Sequence, residues 1–188
     1  MRKIVLAFVL MVGMSAGAFA HHPDGWGIGG GFQFGHNWDD HIRRNRANSS
    51  LTLFLKTPTI PIYWGISASI LDWEFSNNRT RFGFRVTGDY YVIARSIIPE
   101  IGLGWFLGIG GYFSYDRRTW PGNNNYFNLL DFGARFPVGL SWIPLDFLEV
   151  FGAIAPSVGF YWHNRGWTSD RTGLGGALQG DLGVRFWL

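Results

Sequence analysis

The sequence predicts an all-β protein, an eight-stranded antiparallel up-and-down transmembrane β-barrel with short periplasmic turns and longer extracellular loops. Three observations predict it. About eight segments alternate large apolar residues with small or charged ones, the period of a strand with two unlike faces. The composition is rich in glycine (27 residues) and aromatics (18%) but only 15% charged, unlike an ordinary helical domain. Finally, the connections between segments are alternately short with proline and longer and polar, as in a barrel with two unlike rims.

The amino terminus reads as an export signal. Met1-Arg2-Lys3 is a positive n-region, Ile4 to Val12 an apolar stretch, and Ala18-Phe19-Ala20 a small-x-small cleavage site. So short a stretch is a cleaved signal rather than a membrane helix. Residues 1–20 are therefore expected to be removed and 21–188 to form one barrel domain. No Cys follows the small residues, which excludes a lipoprotein anchor, and with no Cys at all there is no disulfide framework. Losing Arg2 and Lys3 takes 16 basic residues to 14 against 13 acidic, so a formal charge of +3 becomes +1. Nucleic-acid binding gains no support from that balance.

The strand candidates follow in order. Trp26, Ile28, Phe32 and Phe34 oppose Gly25, Gly27, Gly29, Gly31, Gln33 and Gly35. Leu51, Leu53 and Leu55 oppose Thr52, Phe54 and Lys56. Ile62, Trp64, Ile66 and Ile70 oppose Tyr63, Gly65, Ser67 and Ser69, until the phase breaks at Asp72-Trp73-Glu74. From Phe82, apolar positions Phe84, Val86, Tyr90 and Val92 oppose Gly83, Arg85, Thr87 and Asp89. From Ile101, Leu103, Trp105, Leu107, Ile109 and Phe113 oppose Gly102, Gly104, Gly108 and Gly110. From Leu130, Phe132, Ala134, Phe136, Val138 and Leu140 oppose Asp131, Gly133, Arg135, Gly139 and Ser141. From Leu148, Val150, Ile154, Val158 and Phe160 oppose Glu149, Ala153, Ala155, Ser157 and Gly159. Last, Leu182, Val184, Phe186 and Leu188 oppose Asp181, Gly183, Arg185 and Trp187.

Short links are expected at Thr57 to Pro61, Ser96 to Glu100 and Ile143 to Asp146. Longer ones fall at His36 to Ser50, Asp116 to Asn125 and His163 to Gly173, with a shorter one at Ser76 to Arg81. An even strand count then leaves both chain ends in the periplasm. The rival fold is a soluble, lipocalin-like barrel with its large apolar residues inside. Eight strands leave an interior just wide enough for side chains to fill. The small-and-charged face is therefore expected to be the lumen, and the greasy face to need lipid.

Two stretches carry a resemblance. The final strand, alternating Leu182, Val184, Phe186 and Leu188 and ending the chain, resembles the C-terminal assembly signal of bacterial outer-membrane barrels. Phe136-Pro137-Val138-Gly139-Leu140-Ser141-Trp142, then Pro144-Leu145-Asp146-Phe147-Leu148-Glu149-Val150-Phe151, then Ile154-Ala155-Pro156, and the closing Leu182-Gly183-Val184-Arg185-Phe186-Trp187 resemble a spirochaete-type family of small outer-membrane barrels. The match covers roughly the C-terminal third. Its architecture is similar to the membrane domain of outer-membrane protein A. The resemblance implies location in the cell outer membrane and recognition by the barrel-assembly machinery, but no activity, because the family's function is largely undefined.

The candidate chemistry falls into four groups. Lys56, Arg85, Asp89, Asp131, Arg135, Glu149, Asp181 and Arg185 share the expected lumen face, and desolvated charges there should be paired. The reading preferred is a salt-bridge plug, and a polar path conducting small solutes is the alternative. Arg43, Arg44, Arg46, Arg79, Arg81, Arg117, Arg118, Trp120, Arg165, Trp167 and Arg171 populate the longer links. Arg contacts phosphate and carboxylate, and Trp stacks on sugars. These links suit a host protein, a glycan or a lipopolysaccharide-like glycolipid, as in an adhesin. His21, His22, His36, Asp39, Asp40 and His41 match no specific metal spacing, and no metal or cofactor is expected. His163 with Ser169 and Asp170, or Glu74 with Ser76, are loose candidates for a lipid A-modifying enzyme, without that class's His-x-Ser arrangement. A non-enzymatic, monomeric barrel in contact with outer-membrane lipid is expected.

Overall fold

In the computed structural model the described residues are 25–37, 48–69, 81–119, 126–165 and 168–188. They form β1 (Gly27–Asn37), β2 (Asn48–Lys56), β3 (Tyr63–Ser69), β4 (Arg81–Ile98), β5 (Leu103–Thr119), β6 (Tyr126–Arg135), β7 (Val138–Leu145), β8 (Leu148–Arg165) and β9 (Thr168–Trp187). A 3-10 turn, Pro99–Ile101, joins β4 to β5, and Gly102 closes it at φ 70°, a left-handed conformation suited to glycine. No helix among the described residues is long and apolar enough to cross a membrane. The chain crosses with strands.

The sheet closes on itself. All pairings are antiparallel, running β4-β3-β2-β1-β9-β8 and returning through β6, β7 and β5 to β4. Although the strands number nine, β6 and β7 are two halves of one stave. Both pair with β5 on one side and β8 on the other. Pro137, which has no N–H, interrupts the ladder between them. Its carbonyl still accepts from Gly108 N at 2.8 Å, and Phe136 N still donates to Pro156 O at 2.9 Å. The ring therefore has eight staves.

The registers fix the barrel's dimensions. From Gly27 of β1 the pairing runs through Lys56, Tyr63, Asp89, Gly110, Arg135, Ser157 and Ala177 and returns to β1 at Asn37, ten residues further on. With strands ~4.8 Å apart and a rise of ~3.3 Å per residue, that stagger tilts the staves by about 41° and gives a radius of about 8 Å. Such a bore is filled by side chains. The seam between β1 and β9 is close-fitting: a Cβ on Gly31 would lie 2.1 Å from the Leu182 carbonyl oxygen.

The faces divide as the alternation predicts. Phe132 and Phe186 are 48% and 50% exposed on the outer wall, together with Ile28, Phe32, Leu53, Phe113, Leu140 and Leu182. Arg135, Glu149 and Arg185 face inward with 0%, 0% and 1% exposure. A soluble barrel would show the reverse, so the fold is that of a membrane barrel.

Three expectations need correction. The strands run past the polar stretches assigned to loops. β8 continues to Arg165 and β9 begins at Thr168, so His163 to Gly173 is mostly a hairpin rather than a long link. β5 likewise continues to Thr119. Above a bilayer both strand faces are wetted, so hydrophobic alternation fades while ladder hydrogen bonding continues. The phase of β4 also changes. Val92 is the extra residue where the register slips between Tyr91 and Ile93, and Ile93 then pairs with Leu107 on the outer wall.

The third correction concerns the lumen, which holds aromatics as well as charges. Phe54, Tyr63, Phe106, Tyr112, Phe151 and Trp187 are all buried and inward. Room comes from glycines on the facing staves. A Cβ on Gly183 would meet the Phe54 and Phe151 rings at 2.8 and 3.0 Å, and one on Gly139 would meet Phe106 at 2.6 Å. The short links and both described chain ends share the periplasmic rim, where Leu188 N donates to Trp26 O at 2.8 Å and Trp26 N to Leu188 O at 3.1 Å.

Candidate functional site

The inward residues lie in layers, because each stave contributes alternate side chains and the pairing sets their level. Nearest the periplasmic rim, Glu149 and Arg185 are direct cross-strand partners on β8 and β9. Arg185 Nη1 lies 2.6 Å from Glu149 Oε2, which also accepts from Trp187 Nε1 at 3.1 Å. Ser141 Oγ donates to Glu149 Oε1 at 2.8 Å. The Arg185 guanidinium is flanked by the Phe151, Tyr63 and Trp187 rings, with its carbon 4.5, 4.8 and 5.5 Å from their centroids. Tyr91 stacks between Tyr63 and Phe106, with centroids 4.0 and 4.2 Å away. This floor is both ionic and aromatic. Lys56 sits beside it, donating to Thr57 O at 2.7 Å.

The next layer is centred on Arg135. Its Nη2 is hydrogen-bonded to Asp181, its Nη1 donates to Gln179 Oε1 at 3.2 Å, and its Nε lies 3.2 Å from Asp89 Oδ1. The Asp89 contact is coulombic rather than a hydrogen bond, since both atoms are buried without an aligned partner. Gln33, Thr87, Ser67 and Thr52 extend the layer. Gln33 Nε2 donates to Thr87 Oγ1 at 3.2 Å and Ser67 donates to Gln33 Oε1, while the Thr52 and Ser67 hydroxyls meet at 3.0 Å. Gln179 Nε2 donates to Ser157 Oγ at 3.1 Å. Above it, Arg85 and Asp131 are half-buried, Tyr112 donates to Asp131 Oδ1 at 3.0 Å, and Arg85 Nε has no hydrogen-bond partner among the described residues.

Of the eight charges expected in the lumen, five are brought into two ion-paired clusters: Asp89–Arg135–Asp181 and Glu149–Arg185. Lys56, Arg85 and Asp131 face the same lumen without an ion pair between Arg85 and Asp131. Sequence reasoning passed over Gln33, Gln179, Tyr91, Tyr112 and Ser141 as lumen partners. Their inward parity was the available signal. The chemistry of the lumen is charge neutralisation among buried side chains.

The surface candidates divide differently. Arg117 lies on β5, exposed on the outer wall. Arg118, Arg165 and Arg171 belong to the strands β5, β8 and β9, not to loops. Arg43, Arg44, Arg46, Arg79, Trp120 and Trp167 lie outside the described residues, as do the signal segment, His21, His22, Asp39, Asp40, His41, Glu74 and Ser76. His163 is buried and inward on β8, opposite Arg171. It stands in a strand, not in the loop where the enzyme reading placed it. Of the assembly signal, Leu182, Phe186 and Leu188 are exposed on the outer wall and Val184 is half-buried there.

A closed eight-stave ring with a polar, filled bore and an apolar exterior defines a small β-barrel of the outer-membrane type. Comparison with a solved structure agrees in fold. The chain is similar to the attachment invasion locus protein Ail of Yersinia pestis, with a TM-score of 0.53 at 9% identity, over 87% of this chain and 99% of that one. It also matches Neisserial surface protein A (NspA), with a TM-score of 0.46 at 8% identity, over 87% and 97% of the two chains. No protein-family model matches the sequence, and no curated protein matches it.

Proposed function

We propose that the protein is an exported, non-enzymatic outer-membrane barrel, closed to solutes, that acts through its outer surface on a host protein, a glycan or a lipopolysaccharide-like glycolipid. The observation that carries this reading is the filled lumen. Arg135 and Glu149 are fully buried in ion-paired clusters at two levels of the described bore, which supports a lumen filled by side chains. What is left to meet other molecules is the outer wall and the extracellular end. The similarity in fold to an attachment protein supports the same direction, and the spirochaete-type pattern in the C-terminal third supports the outer-membrane location alone. Cleavage after Ala20, recognition of the last strand by the barrel-assembly machinery, and a monomeric state belong to this reading.

Three measurements test it. In planar-bilayer recording the wild-type barrel should show no large, stable conductance steps, and such steps would mean a pore. A pull-down with the refolded barrel against host proteins and surface glycans should capture a partner, with binding weakened by added salt if the arginines carry it. Lipid mass spectrometry of cells with and without the protein checks the enzymatic alternative. A change in lipid A acylation that vanishes with His163→Ala would overturn the non-enzymatic reading.

A further inference from the structure

We infer that the outer wall of β5, β6, β8 and β9 carries a docking ledge for the phosphorylated sugar headgroup of an outer-leaflet glycolipid, raised above the hydrocarbon. The inference rests on the surface-interaction reading above and names its partner. On β8 every outward residue from Leu148 through Val150, Gly152, Ile154, Pro156, Val158 and Phe160 to Trp162 lacks a charge or a hydroxyl. That run climbs about 35 Å along the barrel axis, roughly 10 Å more than the ~25 Å apolar band of such barrels.

Across the barrel the apolar wall is shorter. The outward run of β2, Leu55, Leu53 and Leu51, ends at exposed Ser49. Ser49 lies opposite Phe34, and Phe34 opposite Gly180. Leu174 stands six residues above Gly180 on β9. Allowing for the climb across two staves, Leu174 is about 9 Å higher than Ser49. A bilayer has one surface all round the barrel. On the β8–β9 side, apolar groups therefore emerge above it, with Phe160 56% and Leu174 65% exposed.

The register places a polar crown on this ledge. Tyr115, Leu130 and Trp162 form one outward row across β5, β6 and β8, and Arg117, Asn128 and Asn164 form the next row above. Tyr115 donates to Asn128 Oδ1 at 2.9 Å, which leaves the Asn128 amide N–H groups as donors. Arg binds phosphate through paired N–H groups. Aromatic side chains such as Trp present an apolar body with a polar tip and collect at membrane–water interfaces. Each stave from β5 to β8 climbs by about 3 Å, so Arg117 stands level with Trp162. An outer-leaflet glycolipid presents the complement: acyl chains beside Phe132 and Val158, with sugar faces and phosphate together beside Phe160, Trp162 and Arg117.

The test uses the full mature barrel in phosphatidylcholine nanodiscs doped with a bisphosphorylated, inner-core-bearing lipid A, with bound glycolipid counted by native mass spectrometry. Heat-modifiable migration confirms that each variant is folded. Arg117→Ala and Trp162→Ala should each weaken retention about tenfold, the scale of a lost charge-assisted contact. Arg95→Ala, exposed on the wall near the opposite rim, should leave it unchanged. Dephosphorylated glycolipid should lose the Arg117 dependence but keep that of Trp162. Wild-type retention in both ledge variants would overturn the inference. If those variants also still capture a host protein or glycan, the surface-interaction reading stands without the ledge. If glycolipid binds at the ledge but no host protein or glycan is captured, the partner is the glycolipid and the host arm of that reading falls.

Discussion

Replacing Arg135 by alanine should be the most damaging single change in the lumen. The guanidinium is fully buried and neutralises two carboxylates, Asp89 and Asp181, while donating to Gln179. Its loss leaves two like charges facing each other at about mid-height with no cation in contact. Breaking one buried pair by removing a partner typically costs about 3–5 kcal/mol, a shift of roughly two to three and a half orders of magnitude in the folding equilibrium. The assay is urea unfolding of the refolded barrel in lipid vesicles, followed by the heat-modifiable band and by tryptophan fluorescence. The companion variant Arg135→Met/Asp181→Leu removes charge from both sides of the main pair and should recover more than half of the loss. Arg95→Ala, exposed on the outer wall, should change stability by less than about 0.5 kcal/mol. If Arg135→Ala unfolds within about 1 kcal/mol of wild type, the charges are not holding the bore closed, and the plug argument fails with them.

Two further outcomes follow from the seam between first and last strands. Gly31→Ala should destabilise by about 1–3 kcal/mol, because its methyl would overlap the Leu182 carbonyl and the backbone must part. Gly30→Ala on the same strand, with nothing nearer than 3.8 Å, should be nearly neutral in the same unfolding assay. Deleting Phe186 to Leu188 removes the pairing of Gly27 with Trp187 and both hydrogen bonds to Trp26. The truncated chain should fail to show a heat-modifiable band after refolding, and a normal band would refute that role for the last strand.

Much of this architecture was legible because the physical signal is local. Parity along a strand needs no knowledge of its neighbours, so Arg135, Asp181, Glu149 and Arg185 could be assigned to one face from the sequence alone. Which charge meets which was not legible, since Arg135 and Asp181 are brought together by a stagger that only the closed ring defines. The same holds for Phe54 and Phe151, whose rings meet edge to face at 4.9 Å over Gly183. A large inward ring and a distant glycine are complementary only once registers are known. The strand ends were hidden for a different reason. Beyond the bilayer Trp162-His163-Asn164-Arg165 stays in the ladder while its polar residues resemble a loop. The split at Pro137 was readable as a proline, but not as two strands sharing one stave.

The ten-residue stagger bears on how the chain finds its register. Slipping one strand by a single residue turns its apolar face into the bore and is rejected at once. Slipping it by two keeps every face correct and alters the barrel radius by only roughly 0.7 Å, so burial in lipid hardly distinguishes the outcomes. The interior ions do distinguish them. A two-residue slip of β9 against β8 would carry Arg185 away from Glu149 and Asp181 away from Arg135, disturbing four charges at once and leaving Arg135 only Asp89. The buried ions thus act as a registration key, read only when the last strand closes the ring. A chain with all four replaced by apolar residues of similar size should still insert, but as a mixture of registers visible by inter-strand cross-linking between engineered cysteines. A single cross-linked register in that chain would show that the turns, rather than the ions, set the alignment.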